Sequence, residues 1–367
     1  MKILHIAGAT TTRFYRDLSL TYQRNCVTPE DTTAALLVVE PDGGLAWNGR
    51  PVTLARAMDL AAGYDVVVPH LFCPDGMTTW RSLFETALGI PVVGPPLAAT
   101  VTSTSKLATK ALAEASGVRV PASVRVTDAA DLPDVALPAI VKPDREDNSL
   151  GLTLVRTRDD LAPAVEAALD HDATALIEAY IPGREVRVGV IEDPEPRVLP
   201  ILEYHVTPDH PIRERADKVA IDGTGAVTMD AWEQPTLETT CPAALAADTR
   251  AQLCDAALTM HAALGGRDYS LFDFRIHAET GAPYLLEACS FWTFTPVSVI
   301  SRMLAAEGSD LTDAALAMWR RAAARRASAT CAGTRGAARA RGVDGPTPPS
   351  LAAMAGAGPV HQIPPMV

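Results

Sequence analysis

Two carboxylates in one β-hairpin could hold a metal ion. Residues 270–277 and 282–289 have the pattern of two paired strands joined by a turn around Thr280. Asp273 and Glu287 are equally distant from Thr280, so we expect them to face each other on one side of the hairpin. Opposed carboxylates repel unless a cation lies between them, and their hard oxygens suit Mg²⁺. The alternative is an acid pair that is hydrogen-bonded or faces solvent.

A lysine at a strand end could contact phosphate. Lys142 closes the apolar run 137–141 and is followed by Pro143 and the polar loop 144–151. An ammonium group, loop amides and a hydroxyl such as that of Ser149 can together hold a phosphate. The chain lacks both GxxxxGK[ST] and GxGxxG, so P-loop and Rossmann dinucleotide sites lack their fingerprint. It also lacks the serine-hydrolase and zinc-protease motifs, which disfavours a hydrolase.

Two glutamates come next along the chain. Glu178 closes the apolar strand 175–177, and Glu185 follows seven residues later, after a Pro-Gly pair. Such a strand and bend could meet adenine with backbone groups and ribose with a carboxylate. The remaining candidates for the site are Lys106, Lys218 and Arg275. Any single lysine or arginine is more often a solvated surface residue, so only their order and spacing along the chain can support a role in the site.

These residues require a multi-lobed scaffold. Apolar runs alternate with helical segments over the first hundred residues, which indicates a parallel α/β unit with strands at 2–7, 65–69 and 90–93 and helices at 54–62 and 79–88. A small α+β lobe follows, with helices at 105–116 and 159–170 and strands near 124, 139–141 and 175–178. Beyond residue 182 we predict strands at 186–191 and 198–203, a helix at 244–264, and the hairpin.

Composition limits the partners. The net charge of −12 argues against a general nucleic-acid or anionic-membrane binder, so small molecules are the expected partners. The uncharged run 86–105 is interrupted by Gly and Pro, which predicts no membrane span. Six scattered cysteines without a C-x-x-C pair, and the lack of a signal-peptide pattern, predict a reduced, cytoplasmic setting.

In their order and spacing, these groups resemble the D-alanine–D-alanine ligase branch of the ATP-grasp superfamily over residues 1–301. The resemblance implies mixed α/β and α+β lobes with ATP between the central and C-terminal lobes, and the lobes are 1–103 (substrate lobe), 104–190 (lid lobe) and 191–325 (C-terminal lobe). Residues 326–367, rich in Ala, Arg and Pro, are predicted to be a disordered tail.

The resemblance also implies residue roles. ATP contacts would come from Lys106, Lys142, Asn148, Ser149, Glu178, Tyr180, Ile181 and Glu185, with Lys218 as a further phosphate-contacting lysine. The magnesium ligands would be Asp273 and Glu287. The carboxylate of the amino-acid acceptor would bind at Ser298, nine residues after the third metal-ligand position of the family. A buried serine that caps the helix starting near Pro296 is the alternative for Ser298.

Three positions depart from the family pattern. Cys289 occupies the place of a metal-binding asparagine, and a neutral thiol is a poor Mg²⁺ ligand. Leu271 replaces the catalytic arginine, for which we expect Arg275, two residues beyond Asp273 on the same strand face, to substitute. Asp17 stands where the family has a glutamate, which implies a different first substrate.

Several segments resemble the ligases of mycosporine-like amino acid biosynthesis. They are residues 14–20 (FYRDLSL), 69–77 (PHLFCPDGM), 147–151 (DNSLG), 211–213 (PIR) and 269–276 (YSLFDFRI). This resemblance implies an ADP-forming carbon–nitrogen ligase that joins an amino acid to mycosporine-glycine. The alternatives are a D-alanine–D-alanine or other dipeptide ligase, and a catalytically silent nucleotide-binding protein. The sequence leaves the oligomeric state open, with a homodimer as one alternative.

Overall fold

The computed structural model describes residues 1–218, 220–221, 227–228 and 236–340. The N-terminal sheet has the order β4-β3-β2-β1-β5, in which β1 pairs in parallel with β2 and β5. Its strands are β1 Lys2–Gly8, β2 Thr33–Val39, β3 Leu45–Trp47, β4 Arg50–Pro51 and β5 Val66–Pro69. The helices of this part of the chain are α1 Arg13–Arg24, α2 Leu54–Ala61, α3 Pro74–Arg81 with the π-helical turn Ser82–Ala87, and α4 Leu97–Ser103.

The predicted α/β unit is therefore present, with three differences in its sheet. The strand β2 Thr33–Val39, which pairs in parallel with β1, was not predicted. Residues 90–93 do not form a strand, because only a single parallel bridge joins Val92 to Val67. The antiparallel extension through β3 and β4 was not predicted, since its strands are three and two residues long. Strands this short give no alternating pattern that could be recognised.

The central sheet has the order β6-β9-β7-β8 and is antiparallel throughout. Helix α5, Lys106–Ala115, precedes it, with the Ser105 side chain accepting a hydrogen bond from the Ala108 amide and Gly117 at a φ of 76° just after the helix end. The other elements are β6 Ser123–Val126, β7 Ala139–Pro143, β8 Thr153–Val155, α6 Leu161–Leu169 and β9 Ala175–Ala179.

The third sheet has the order β15-β12-β10-β16-β17, with β11 paired to β10. Its elements are β10 Gly183–Glu192, β11 Pro196–Val198, β12 Leu202–Tyr204, β15 Thr239–Thr240, α7 Ala247–Ala263, β16 Tyr269–His277 and β17 Pro283–Cys289. A separate two-stranded ribbon pairs β13 Ala220–Ile221 with β14 Val227–Thr228. The expected lobe boundary at residue 190 falls inside β10, so the chain enters the third sheet at Gly183.

The two faces of the third sheet differ in chemistry. Val186 and Phe272 belong to the face that packs in one core with Met260 of α7. Strand residues alternate between faces, so Glu185 and Asp273 lie on the opposite face. That face carries the charged groups, and the apolar face anchors the strands that hold them.

The C-terminal part of the chain is helical. Helices α8 Val299–Ala306 and α9 Leu311–Ala340 follow the hairpin, and buried Trp319 packs edge to face on Phe294. The structure forms one compact unit over Met1–Arg326. The sequence analysis predicted disorder from residue 326, but helix α9 continues to Ala340. Alanine and arginine, which are frequent in this segment, have high helix propensity. Residues 341–367 lie outside the described part of the chain. No described helix is long and apolar enough to cross a bilayer.

Candidate active site

Two neighbouring cavities contain most of the predicted site residues. We call the first the lysine-rich cavity; its lining includes Lys106, Lys142, Asn148, Ser149, Glu178, Tyr180, Ile181, Glu185, Lys218 and Arg275. The second, the aromatic cavity, is lined by Tyr22, Phe72, Phe291, Trp292 and Ser298 among others. Eight residues line both cavities: Lys106, Glu146, Asp147, Asn148, Arg213, Lys218, Asp273 and Glu287. The predicted metal pair therefore lies where the cavities meet.

The hairpin places the two carboxylates opposite each other. Asp273 pairs directly with Glu287 across β16 and β17, with a register shift just after Asp273. The Asp273 carboxylate accepts hydrogen bonds from Arg187 (2.8 Å) and Arg213 (2.9 Å). The Lys106 ammonium lies 3.2 Å from Glu287. The sequence prediction that these two acids oppose each other is confirmed.

Neighbouring cations keep both carboxylates ionised. Burial alone would raise the pKa of Asp273, but Arg187 and Arg213 outweigh it and hold this pKa below its usual value. Burial likewise opposes ionisation of Glu287, and Lys106 lowers its pKa despite the repulsion from Asp273. Two charged oxygen donors thus face one another, which is the chemistry that a hard divalent cation prefers.

A buried glutamate binds two lysines deep in the lysine-rich cavity. The Glu178 side chain is 2% exposed and lies 3.2 Å from the Lys110 ammonium and 3.0 Å from that of Lys142. Lys110 was not predicted. Burial lowers its pKa to about 8, although Glu178 works in the opposite direction. The available signal was its position one helical turn after Lys106 on α5, which puts both lysines on one helix face.

The loop after β7 has an uncommon backbone. Asn148 and Ser149 have φ values of 54° and 56°, in the left-handed region that non-glycine residues rarely adopt. The Ser149 hydroxyl donates a 2.8 Å hydrogen bond to the carbonyl of Arg213. The loop thus bends over the junction of the cavities, where its amides can point at an anion.

Arg275 contacts the hinge between the central and third sheets. Its guanidinium donates hydrogen bonds to the carbonyl oxygens of Ile181 (3.1 Å) and Pro211 (2.8 Å), the Tyr180 hydroxyl (3.0 Å) and the Glu185 carboxylate (3.1 Å). Four oxygen acceptors therefore occupy the N–H donors of the Arg275 guanidinium. These contacts favour a positioning role over the catalytic role that the sequence suggested, because little of the fork is left for substrate.

Two other arginines lie at the junction, and sequence reasoning missed both. Arg187 stands opposite Asp273 in the pairing of β10 with β16, and it lines the aromatic cavity. Arg213 bonds Glu185 and Asp273, and its guanidinium lies 4.0 Å from the centre of the Tyr204 ring. The alternation Glu185, Val186, Arg187 could have placed Arg187 on the charged face.

Lys218 lines both cavities, as expected of a phosphate-contacting lysine. Burial and the nearby Arg213 lower its pKa to about 8, while Glu287 works in the opposite direction. At neutral pH this ammonium group is therefore protonated in most molecules of the protein. It is therefore a cation near the carboxylate pair and can attract an anionic ligand.

Aromatic rings form one wall of the second cavity. Phe72 and Phe291 stack with their centroids 5.3 Å apart, and Tyr22 packs edge to face on Phe72 at 5.4 Å. Ser298 lies on another side, where its hydroxyl accepts a 3.0 Å hydrogen bond from Trp292 Nε1 and donates one of 3.0 Å to the Thr295 carbonyl. Ser298 precedes α8, yet its side chain makes no capping hydrogen bond.

Asp17 is not brought to either cavity. It lies on α1, pairs with Arg16 at 2.7 Å, and its side chain is 37% exposed. Helix α1 instead turns Tyr15 and Tyr22 inward, and the Tyr15 hydroxyl donates a 2.7 Å hydrogen bond to Glu146. Asp17 is in neither cavity lining, because the helix period directs Tyr22 and not residue 17 toward the aromatic cavity, and its contact with the first substrate stays a prediction.

Known proteins match this chain in sequence and in fold. A family profile described as "D-ala D-ala ligase C-terminus" matches residues 124–317. The D-alanine–D-alanine ligase of Nitratidesulfovibrio vulgaris (strain Hildenborough) is 31% identical over 316 residues, covering 84% of this chain and 94% of that protein. The chain belongs to the D-alanine–D-alanine ligase family. It is accordingly an ATP-dependent, ADP-forming carbon–nitrogen ligase with the ATP-grasp fold.

Other members of the ligase family agree. The D-alanine–D-alanine ligase of Corynebacterium urealyticum is 30% identical over 282 residues, covering 74% of this chain and 73% of that protein. Among solved structures, the VanG D-Ala:D-Ser ligase from Enterococcus faecalis matches with a TM-score of 0.67 and 22% identity, covering 89% of this chain and 99% of that one. The Bacillus anthracis ligase complexed with ATP matches at 0.66 and 18%, with the same coverage.

Proposed function

We propose that the lysine-rich cavity holds ATP and that the aromatic cavity holds the two substrates to be joined. Adenine would lie beside Tyr180 and Ile181 near Glu178, and the ribose would lie against Glu185. The phosphates would extend along Lys106, Lys142, Asn148, Ser149 and Lys218. The observation that carries this proposal is the shared lining at the carboxylate pair, because a phosphoryl group could pass there from one cavity to the other.

The carboxylate pair fits a magnesium ion. Asp273 Oδ1 is buried and lacks a hydrogen bond of good geometry, which leaves it available as a ligand. Glu287 faces it directly, and the neutral Cys289 thiol would not compete for a hard ion. Bound Mg²⁺ would neutralise charge on the ATP phosphates. The residues of the chain orient the phosphates and keep the substrates apart from bulk water.

We propose mycosporine-glycine as the first substrate. The conjugated O=C–C=C–N part of its ring is planar and would lie against the stacked Phe72 and Phe291 rings. The ring carbonyl oxygen would take the γ-phosphoryl group of ATP, and ADP would leave. The amine of the second amino acid would then attack the ring carbon that bears the phosphorylated oxygen. Phosphate would leave, the amine would lose its protons, and a C=N bond would form.

Dipeptide formation is the second candidate, and the relatives support it more directly. The named sequence relatives are D-alanine–D-alanine ligases. In that chemistry a carboxylate oxygen of the first amino acid would take the phosphoryl group. The exposed position of Asp17 and the replacement of an arginine by Leu271 count against it, because a dipeptide ligase must hold an ammonium group and an acyl oxyanion.

One incubation separates the candidates. The purified protein is given ATP, Mg²⁺ and an amino-acid mixture, with either mycosporine-glycine or D-alanine as the first substrate. ADP release is coupled to an absorbance assay, and products are identified by ultraviolet spectrum and mass. A new imine chromophore with mycosporine-glycine supports the first candidate. A dipeptide from D-alanine alone overturns it in favour of the second, and AMP with pyrophosphate would refute both.

A further inference from the structure

Arg187 is a guanidinium at the edge of the aromatic cavity with a single carboxylate partner. It lies on the charged face of β10, and its side chain is 17% exposed. Its Nη2 donates to Asp273 Oδ2, and its Nε lies 2.6 Å from Asp273 Oδ1 without good hydrogen-bond geometry. Arg187 lines the aromatic cavity and is absent from the lining of the lysine-rich cavity.

The other two arginines near the carboxylate pair have more partners. Arg213 is shared between Glu185 and Asp273, and Arg275 has four oxygen acceptors in the hinge. Lys142 pairs with Glu178 inside the lysine-rich cavity. Arg187 therefore differs from them in two respects: it faces the substrate side, and its described hydrogen bonds go only to a proposed metal ligand.

Binding of a cation at Asp273 would release the Arg187 guanidinium from this carboxylate. A divalent ion bound at Asp273 Oδ1 would repel the Arg187 guanidinium, because Arg187 Nε lies 2.6 Å from the same oxygen, and the side chain would move away from Asp273. The released guanidinium would then lie between the carboxylate pair and the aromatic wall. During transfer the phosphoryl group carries charge on three oxygens, and a planar fork can bind two of them at once.

We propose that Arg187 is a catalytic residue that binds the transferring phosphoryl group from the substrate side. This inference rests on the proposed phosphorylation of the first substrate and names the residue that stabilises it. Lys142 and Lys218 would hold the phosphoryl group from the nucleotide side. The group would thus pass between cations supplied by two sides of the junction.

The test compares Arg187→Lys and Arg187→Met with the wild type, using whichever first substrate the wild type accepts. Loss of the charge in Arg187→Met should lower kcat by about 100- to 10,000-fold. Arg187→Lys keeps the charge but loses the fork, so its kcat should fall by about 10- to 100-fold. The KM for ATP should change less than about threefold in both. Arg184→Lys is the matched control, since Arg184 lies on the same strand but bonds Glu203 away from both cavity linings.

A second measurement needs no first substrate. ADP with aluminium fluoride mimics the transferring phosphoryl group, and its affinity should fall in both Arg187 variants while that of a non-hydrolysable ATP analogue stays the same. Unchanged kcat, or a loss confined to the ATP or Mg²⁺ requirement, would overturn the inference, because Arg187 would then only neutralise Asp273. If Arg187→Met does not fold, Arg187→Lys decides. Dipeptide formation by the wild type would overturn the proposed substrate but not this inference.

Discussion

At the residue scale, the site depends on how buried charges share partners. The carboxylate pair of Asp273 and Glu287 is surrounded by Arg187, Arg213 and Lys106, so each carboxylate of the pair has a cation beside it. An uncompensated carboxylate here would lose ionisation, and with it any affinity for a metal ion. Replacing one of these charged residues should therefore also change the ionisation of its partners, and activity should fall further than the loss of one contact would explain.

Asp273→Asn should reduce activity at least about 100-fold, because a neutral amide binds Mg²⁺ and orients phosphates far less well. The measurement is the ADP-release rate as a function of Mg²⁺ concentration. Cys289→Asn provides the opposite change: an amide oxygen beside the pair should lower the Mg²⁺ concentration needed for half-maximal rate. An Asp273→Asn enzyme with an unchanged Mg²⁺ requirement would rule out the proposed metal pair.

Ser298→Ala should weaken binding of the second amino acid. Loss of about one charge-assisted hydrogen bond to its carboxylate corresponds to roughly 1.5–3 kcal/mol, or roughly 10- to 150-fold in KM, with the KM for ATP unchanged. Ser301→Ala is the control, since Ser301 shares the Trp292 hydrogen bond but does not line the cavity. A Ser298→Ala enzyme of lower stability and normal amino-acid KM would assign Ser298 a structural role only.

At the scale of secondary-structure elements, the third sheet has one face that packs in the apolar core and one face that carries the charged residues of the site. Its apolar face packs on α7, and its charged face carries Glu185 and Arg187 from β10 and Asp273 and Arg275 from β16. The period of two explains why the residues of the motif could be assigned to one face from sequence. The order of the strands could not be assigned, since β10 and β16 are separated by the long segment between residues 192 and 269.

The start of β10 depends on Gly183. This residue has a φ of 139°, and a Cβ atom there would lie 2.0 Å from the Ile276 carbonyl oxygen. Gly183→Ala must therefore displace β10 from β16, and we expect a loss of at least about 2 kcal/mol, with reduced activity. Gly117→Ala is the control: its φ is 76° but no atom crowds it, so about 1 kcal/mol is expected. Thermal unfolding midpoints test the difference, and equal shifts would contradict it.

At the scale of the whole molecule, tertiary contacts assemble groups that the sequence keeps apart. His5 and His70 form a buried 2.9 Å hydrogen bond, Cys26 lies beside them, and Trp319 packs edge to face on His5. Residues from four separate parts of the chain thus meet at β1 of the N-terminal sheet. The sequence pattern showed only scattered cysteines and histidines.

This cluster should make stability depend on pH. Burial lowers the pKa of His5 from 6.5 to about 4 and that of His70 well below 6.5. The unfolded chain therefore takes up protons first, so stability is fully present above about pH 6.5 and is lost as the pH falls toward 4. The loss from His5 alone should reach about 3 kcal/mol. Unfolding midpoints between pH 7.5 and 5 should fall more steeply for the wild type than for His5→Asn. Parallel curves would contradict the prediction.

The sequence by itself determined the hairpin and its opposed carboxylates, the lysine at the end of a strand before a polar loop, and the family. These follow from short-range spacing, because strand alternation and turn length fix which side chains meet across a hairpin. Only the tertiary structure decided that Arg187 lines the aromatic cavity and that Asp17 lines neither cavity. Those outcomes depend on the pairing of β10 with β16 and on how α1 packs, and no local pattern encodes contacts between segments some 90 residues apart.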